Sequence, residues 1–526
     1  MPKLIPESVV RPVCCNKKME LYGTKTVSGK PRHRCASCRR STTARSPEEF
    51  DAREGLGYDE QAAAANAERI RERVKAGHKR FVVTALQNNT RLHSSWPALI
   101  EYCRLQDAEL IVIPIHYKNI SLFTAAQEYT KRWPSDASQY IVDEHIRLGG
   151  GVDVAAELKI SATAARPLSA IGPLGGHNWQ IIGHSKVLMD PVATPQDMKP
   201  KRCYTTGVMS VRNYSRTKQG ALASFHHSVG ALVVEVSGNN AFIRQLGMSG
   251  RSFYDVAGGE LWKYYADGAE QCFSLPALTT GDEHVKFHDP GVRRATYGPS
   301  GMASVLKPER IFRHDVLDGY AGSHHHEKDP LTQFKKFHSG DDDYRAELDA
   351  VAKFLNETTP PNSTNYMVDS NHHDHLSQWL NRVNVNKDHR NALLILQLQE
   401  AVRRAALSGS RAGPLELYLE GKLLHKTVWL NRNKPLIIKG VDYSQHGDVG
   451  VNGGRGSASA LSKATYKTVI GHSHTARIVD GCYQVGYSAR GLEYARGMGT
   501  WTHTHCLQYP DGKRTLVDIF GSKWHG

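Results

Sequence analysis

The chain has 526 residues, with 67 lysines and arginines against 52 aspartates and glutamates, a formal charge of +15. An apolar share of 40% and 46 glycines are ordinary for a globular protein, which excludes wholesale disorder, and the length allows two or three domains. No apolar run approaches the about 18 residues that cross a bilayer, so no membrane partner is expected, and the basic excess favours a polyanion such as nucleic acid. Met1 to Glu7 lacks the apolar core of a secretory leader, and four of nine cysteines crowd between Cys14 and Cys38. Both point to a reducing cytoplasm.

Residues 10–45 carry Cys14-Cys15 and Cys35-Ala36-Ser37-Cys38, separated by a Gly/Lys-rich stretch with the character of a hairpin. Two thiolate knuckles on either side of a hairpin can close a tetrahedral Zn2+ site, and this stretch resembles the zinc ribbons at the start of some transposases. Cys14, Cys15, Cys35 and Cys38 are the candidate ligands of a structural zinc; since adjacent cysteines rarely ligate one ion together, His33 is an alternative. Residues 46–80 are charged and alanine-rich and predict a solvated helix or linker. From residue 81 to about 275 the pattern is α/β. Phe81–Leu86 and Glu109–Ile115 predict strands around an amphipathic helix near Trp96 to Leu105, and the stretch from about 200 to 270 is rich in β signals. His226 and His227 have no partner cluster nearby in sequence and are expected to be structural or to support a ligand from behind.

The remaining stretch, 276–526, repeats one design. An apolar, strand-like run is followed at once by histidine, aspartate or asparagine. It recurs at Gly281-Asp282-Glu283-His284, His314-Asp315-Val316-Leu317-Asp318, Ser370-Asn371-His372-His373-Asp374, His446-Gly447-Asp448 and Gly471-His472-Ser473-His474. Helical patterns near Tyr344 to Leu355 and Ala392 to Leu407 separate the strands, as in a layered α/β fold with functional loops at strand ends. Mixed histidine, carboxylate and asparagine donors suit manganese, iron, zinc or nickel and argue against calcium. Asp442 and Asp448 are expected to be hydrogen-bonding loop residues, and His324-His325-His326 a solvated loop. The glycine-rich Gly450 to Gly456 is either a flexible turn or a phosphate loop with Arg455 as its clamp.

The order D-x-H, D, N-H, H, G-H-x-H resembles the calcineurin-like metallophosphoesterase superfamily across residues 279 to 480. Thr279 to His284, His314 to Gly319, His446 to Gly456 and Val469 to His474 are similar, more narrowly, to a tailed-phage group associated with host-DNA degradation. The resemblance implies a layered β-sandwich flanked by helices and two divalent ions, Mn2+ foremost. Asp282, His284 and His474 would hold the first ion, Asp315 would bridge, and Asn371, His446 and His472 would hold the second. His372 would protonate the leaving oxygen. The superfamily usually has glycine where this chain has His314 and Ser370, which leaves Asp318 as a rival bridge.

The function so implied is metal-dependent hydrolysis of DNA in the cytoplasm of an infected host. The same centre would also serve a phosphatase or small-molecule phosphodiesterase, and the basic chain with its ribbon would also suit a non-catalytic DNA-binding takeover protein. Assembly as a homo-oligomer stays open.

Overall fold

Residues 59–117, 133–492 and 495–526 are described by the structure, a computed structural model, together with short backbone pairings between residues 13 and 57. The ribbon positions Cys14, Cys15, Cys35 and Cys38, with His33, lie outside the residues whose side chains are described. The chain is a mixed α/β protein with three large sheets.

The first sheet has seven strands, with Arg80–Gln87 parallel to Glu109–Ile115 near one edge and antiparallel to Gly230–Ser237 on its other side. Phe81 to Gln87 are all buried because both faces of the strand are covered, which is why the run is continuously apolar rather than alternating. Val82 and Leu86 pack with the helix Trp96–Leu105, while Phe81, Val83 and Ala85 enter the central core. The helix Glu60–Lys75 is capped by Asp59, whose side chain accepts from Gln61 N at 2.9 Å. A solvated helix or linker is the expectation there; the helix has one face that is not solvated, with Ala63, Ala67 and Ile70 buried, because the alanine-rich face lets the backbone lie close against the body.

The six-stranded sheet supplies most of the site. Four strands, Ala277–Thr279, Arg310–Arg313, Thr364–Met367 and Thr427–Trp429, run parallel and adjacent, and the antiparallel pair Thr504–Gln508 and Arg514–Asp518 completes it. Helices fill the crossovers, and Tyr344–Thr358, Asn371–Arg382, Ala392–Leu407 and Pro414–Leu419 share a core with Val316, Leu317 and Met367. The third sheet has ten strands and draws on two distant stretches, 145–205 and 437–484, which meet where Met189 pairs with Ile478. In it Lys467–Ile470 lies parallel to both Val441–Asp442 and Cys482–Gln484. Arg477–Val479 and Cys482–Gln484 form a hairpin through Asp480-Gly481, both at positive φ (43° and 94°), as an Asp-Gly turn requires.

The six- and ten-stranded sheets share one core, in which Phe312 of the six-stranded sheet stacks on Tyr443, directly after the strand Val441–Asp442 of the ten-stranded one, with ring centroids 4.2 Å apart. Their parallel strands therefore deliver loops to a common edge. No helix among the described residues is long and apolar enough to cross a membrane.

Candidate metal centre

Asp282 and His284 follow the strand Ala277–Thr279, and Asp315 and Asp318 follow Arg310–Arg313. Asn371 and His372 open the helix after Thr364–Met367, with Ser370 as its cap. His446 follows Val441–Asp442, and His472 and His474 follow Lys467–Ile470. Donor atoms of Asp282, His284, Asp315 and His474 all lie within 4.8 Å of one another, and all four residues are buried. His284 Nε2 is 3.0 Å from His474 Nε2, and His474 Nε2 is 3.4 Å from Asp282 Oδ2. Asp315 Oδ2 lies 3.9 Å from His284 Nε2 and 3.2 Å from His446 Nε2, so this carboxylate stands between two groups of donors. In the second group the His446 and His472 rings are 5.2 Å apart, and His472 Nδ1 meets Asn371 Oδ1 at 3.1 Å. The seven expected ligands are thus brought to one place, with Asp282, His284, Asp315, His446 and His474 buried and Asn371 and His472 half-buried.

The backbone is strained there. His284, Asp315, His472 and His474 have φ of 41°, 45°, 73° and 58°, a region that side-chain-bearing residues seldom occupy. Such conformations cost about 1–3 kcal/mol each and persist where surrounding structure imposes them, most often at functional sites. Gly471 shows how tightly the loops are drawn together: a Cβ there would lie 2.2 Å from Asp282 Oδ1.

The electrostatics are those of a cation site. The oxygens of Asp282 and Asp315 are buried without a well-aligned hydrogen-bond donor among the described residues. Burial, and then the neighbouring Asp315 carboxylate, push Asp282 up to about 7. Burial opposes the ionised form of Asp315, but His446 beside it holds it well below the usual carboxylate range. Burial likewise opposes the charged form of His446, yet Asp315 lifts it to about 9. Two buried carboxylates in mutual repulsion, ringed by imidazoles, are a donor set that a metal cation satisfies.

A second layer orients these donors. Asp318 Oδ2 accepts from His284 Nδ1 at 3.0 Å, which leaves Nε2 bare toward Asp282 and Asp315. Asp318 thus sits behind His284, while Asp315 occupies the place between the two groups. His372 Nδ1 donates to the Asp318 carbonyl at 2.8 Å, so its Nε2 is the nitrogen free for proton exchange; its ring is 4.7 Å from that of His284. Burial lowers the His372 pKa from its ordinary value. His314, where a glycine was the superfamily norm, puts Nδ1 3.0 Å from His446 Nδ1 and so fixes that ring from behind.

Three groups were not singled out from the sequence. Arg432 spans two ligand loops, holding Asp369 at 2.9 Å and Asp448 at 2.9 Å. Arg313 pairs with Glu283 at 3.0 Å, both fully buried, and Tyr297 donates to the same carboxylate. His505 Nδ1 accepts from Gly281 N at 2.9 Å, anchoring the loop that carries Asp282. An arginine and a histidine inside strands that otherwise bury apolar residues were the only signals of the last two. Of the other expectations, Arg455 is exposed on a loop that closes on itself through Gly450 N to Gly454 O at 2.7 Å, and it makes no contact with the cluster among the described residues. Asp442 ends the strand Val441–Asp442 rather than lying in a loop, and its side chain accepts from Ser444 N at 2.9 Å in the turn that follows. His227 is buried and its Nε2 lies 3.0 Å from the Ser210 carbonyl, a structural role.

Fold and site together define a mixed α/β protein with a buried aspartate and histidine cluster able to hold a metal ion. The chain is 29% identical over 468 residues, 86% of its own length and 83% of the relative's, to Protein A1 of Escherichia phage T5, and is thereby related to a phage protein. No family model and no solved structure matches it.

Proposed function

We propose that the protein is a dinuclear-metal-dependent nuclease that hydrolyses phosphodiester bonds of DNA in the host cytoplasm during phage takeover. The observation that carries this reading is the convergence of seven aspartate, asparagine and histidine donors from five separate loops, with Asp315 between the two groups. The resemblance to the metallophosphoesterase superfamily, the phage relative and the charge of +15 support the choice of reaction, setting and substrate.

Asp282, His284 and His474 would hold one ion and Asn371, His446 and His472 the other, shared through Asp315. Bound there, divalent ions, with Mn2+ the first candidate, supply positive charge against the phosphate oxygens and ease deprotonation of water. The chain's own residues do the rest. Asp318 keeps His284 in one tautomer and the Asp318 carbonyl keeps the proton of His372 on Nδ1. A protonated His372 then gives its Nε2 proton to the leaving 3′ or 5′ oxygen, a step general acids accelerate by about 10²–10⁴. The basic chain holds the polymer through its backbone, with affinity that falls steeply as salt rises.

The test is a cleavage assay on linear, circular and single-stranded DNA in manganese, magnesium and zinc. Full-length protein should degrade DNA in at least one metal, and Asp315→Ala should abolish this. His372→Ala should lower turnover by about 10²–10⁴ while metal content stays that of the parent. Hydrolysis of a small phosphomonoester with DNA spared would make the protein a phosphatase. DNA retarded in a gel without turnover of either substrate would make it a binding protein.

A further inference from the structure

A cavity of about 770 Å³ opens where the three large sheets meet, between the helix Lys218–His226, the stretch Gln245–Met248, the turn Asp480-Gly481 and the turn at Gly512-Lys513. It is distinct from the metal centre. Lys467, on its wall, begins the strand whose other end leads to His472, and at about 3.3 Å per residue the strand alone sets the two roughly 10 Å apart. Its size is that of a pocket for a ligand of a few hundred daltons.

The lining is strongly basic, with Lys186, Arg212, Lys463, Lys467, Lys513 and Arg514 against the single carboxylate of Asp480. Two of the cations are committed. Arg514 donates to the carbonyls of Thr468 at 2.7 Å and Gly481 at 2.8 Å, and Lys186 donates to the Ala165 carbonyl at 2.9 Å and reaches Asp480 at 3.3 Å. The side chains of the other four form no hydrogen bond or ion pair among the described residues. Burial and the like charges of Arg514 and Lys513 hold the Lys467 ammonium below the usual lysine range, as expected where cations outnumber carboxylates. Two aromatic rings face the same space: Phe225 is 79% exposed and Tyr466 49% exposed. Cations that track a backbone beside aromatic faces that stack bases are the two elements of single-strand recognition.

We propose that this cavity is a second nucleic-acid site, which holds nucleotides by phosphate and stacked base as single-stranded DNA presents them. Lys463, Lys467, Lys513 and Arg212 meet the phosphates, and Phe225 and Tyr466 carry bases. The site holds a strand away from the metal centre, so that one end of the polymer is retained while another is worked on. The inference rests on the reading of the protein as one that acts on DNA only for the choice of polymer.

The test is fluorescence anisotropy of the full-length protein with a labelled oligothymidylate, in EDTA so that cleavage plays no part. In Lys467→Glu/Lys513→Glu the Kd should rise tenfold or more, and the slope of log affinity against log salt should fall by about 1.4, two phosphates at about 0.7 each. Phe225→Ala, at an exposed position, should weaken binding about fivefold or more with an unchanged salt slope. Thermal melting that matches the parent shows that both variants are folded. Wild-type affinity in both variants would overturn the site. Thymidine monophosphate competing as strongly as the oligonucleotide would overturn the strand and leave a free nucleotide as the ligand. Because binding is read without turnover, a wild type that binds the oligonucleotide in EDTA but cleaves no DNA in the separate assay with manganese, magnesium and zinc would sink the nuclease reading and leave this one standing.

Discussion

Two buried clusters of charge in this molecule have opposite characters. In the seven-stranded sheet, Arg244 donates to Asp255 at 3.0 and 2.9 Å, to Glu235 at 3.2 Å and to the His525 carbonyl at 3.1 Å, while Tyr102 donates to Asp255 at 2.8 Å. Asp255 has the Arg244 guanidinium and the Tyr102 hydroxyl, and Glu235 has Arg244, Arg80 at 3.1 Å and His525 Nδ1 at 3.1 Å, so the network is complete by itself. At the edge of the other two sheets, Asp282 and Asp315 are as deeply buried, yet among the described residues their oxygens lack aligned donors and their neighbours are imidazole nitrogens. The lesson is that burial of charge alone does not mark a functional site. What marks it is buried charge that the described residues leave without an aligned hydrogen-bond donor, held on a backbone that is itself strained.

The sharpest way to break that comparison is to truncate one member of each cluster. Arg244→Ala leaves Asp255 buried without its cation, while Glu235 keeps Arg80 at 3.1 Å, and should cost about 3–5 kcal/mol of unfolding free energy in urea titrations. Asp282→Asn, measured in chelator, removes a charge that repels Asp315 and should leave stability unchanged or raised. Equal losses in the two variants would mean that both clusters are structural. A second, smaller effect concerns the ion that such a cluster would take. Manganese at about a hundred times its Kd should stabilise the parent protein by about 2.7 kcal/mol and should leave Asp315→Asn at its metal-free midpoint. Stabilisation of equal size in that variant would place the ion elsewhere.

Much of this was legible in the residues. Helices over Tyr344–Thr358 and Ala392–Leu407 and strands over Arg80–Gln87, Glu109–Ile115 and Gly230–Ser237 lie where periodicity and apolar runs predict them, because both signals are local. The convergence of five loops could be anticipated for a related reason: donors placed directly after parallel strands must meet at one edge. What stayed hidden depends on neighbours remote in sequence. Nothing local says that 145–205 and 437–484 share a sheet. Asp315 is the expected bridge with Asp318 as its rival on paper, and only the left-handed turn at Asp315 (φ 45°) sends one carboxylate between the donor groups and the other behind His284. Arg432 reads as an ordinary loop arginine until Asp369 and Asp448 are found on either side of it.

The finest test separates a residue that holds an ion from one that orients a ligand, and it falls on Asp318. Its carboxylate accepts the Nδ1 proton of His284, so it fixes which nitrogen of that ring faces the centre. Asn in its place keeps the size and can still offer an oxygen, but it removes the negative charge that favours the proton on Nδ1 and strengthens Nε2 as a donor. Asp318→Asn should therefore weaken manganese binding by about 10–100-fold in calorimetric titrations, with the number of ions bound unchanged. If Asp318 were itself the shared ligand, the same substitution would remove one of the two ions, and the titration would show half the stoichiometry rather than a shifted midpoint. The Asp318 carbonyl also carries His372, through the backbone alone, so DNA cleavage at saturating manganese should stay within tenfold of the parent.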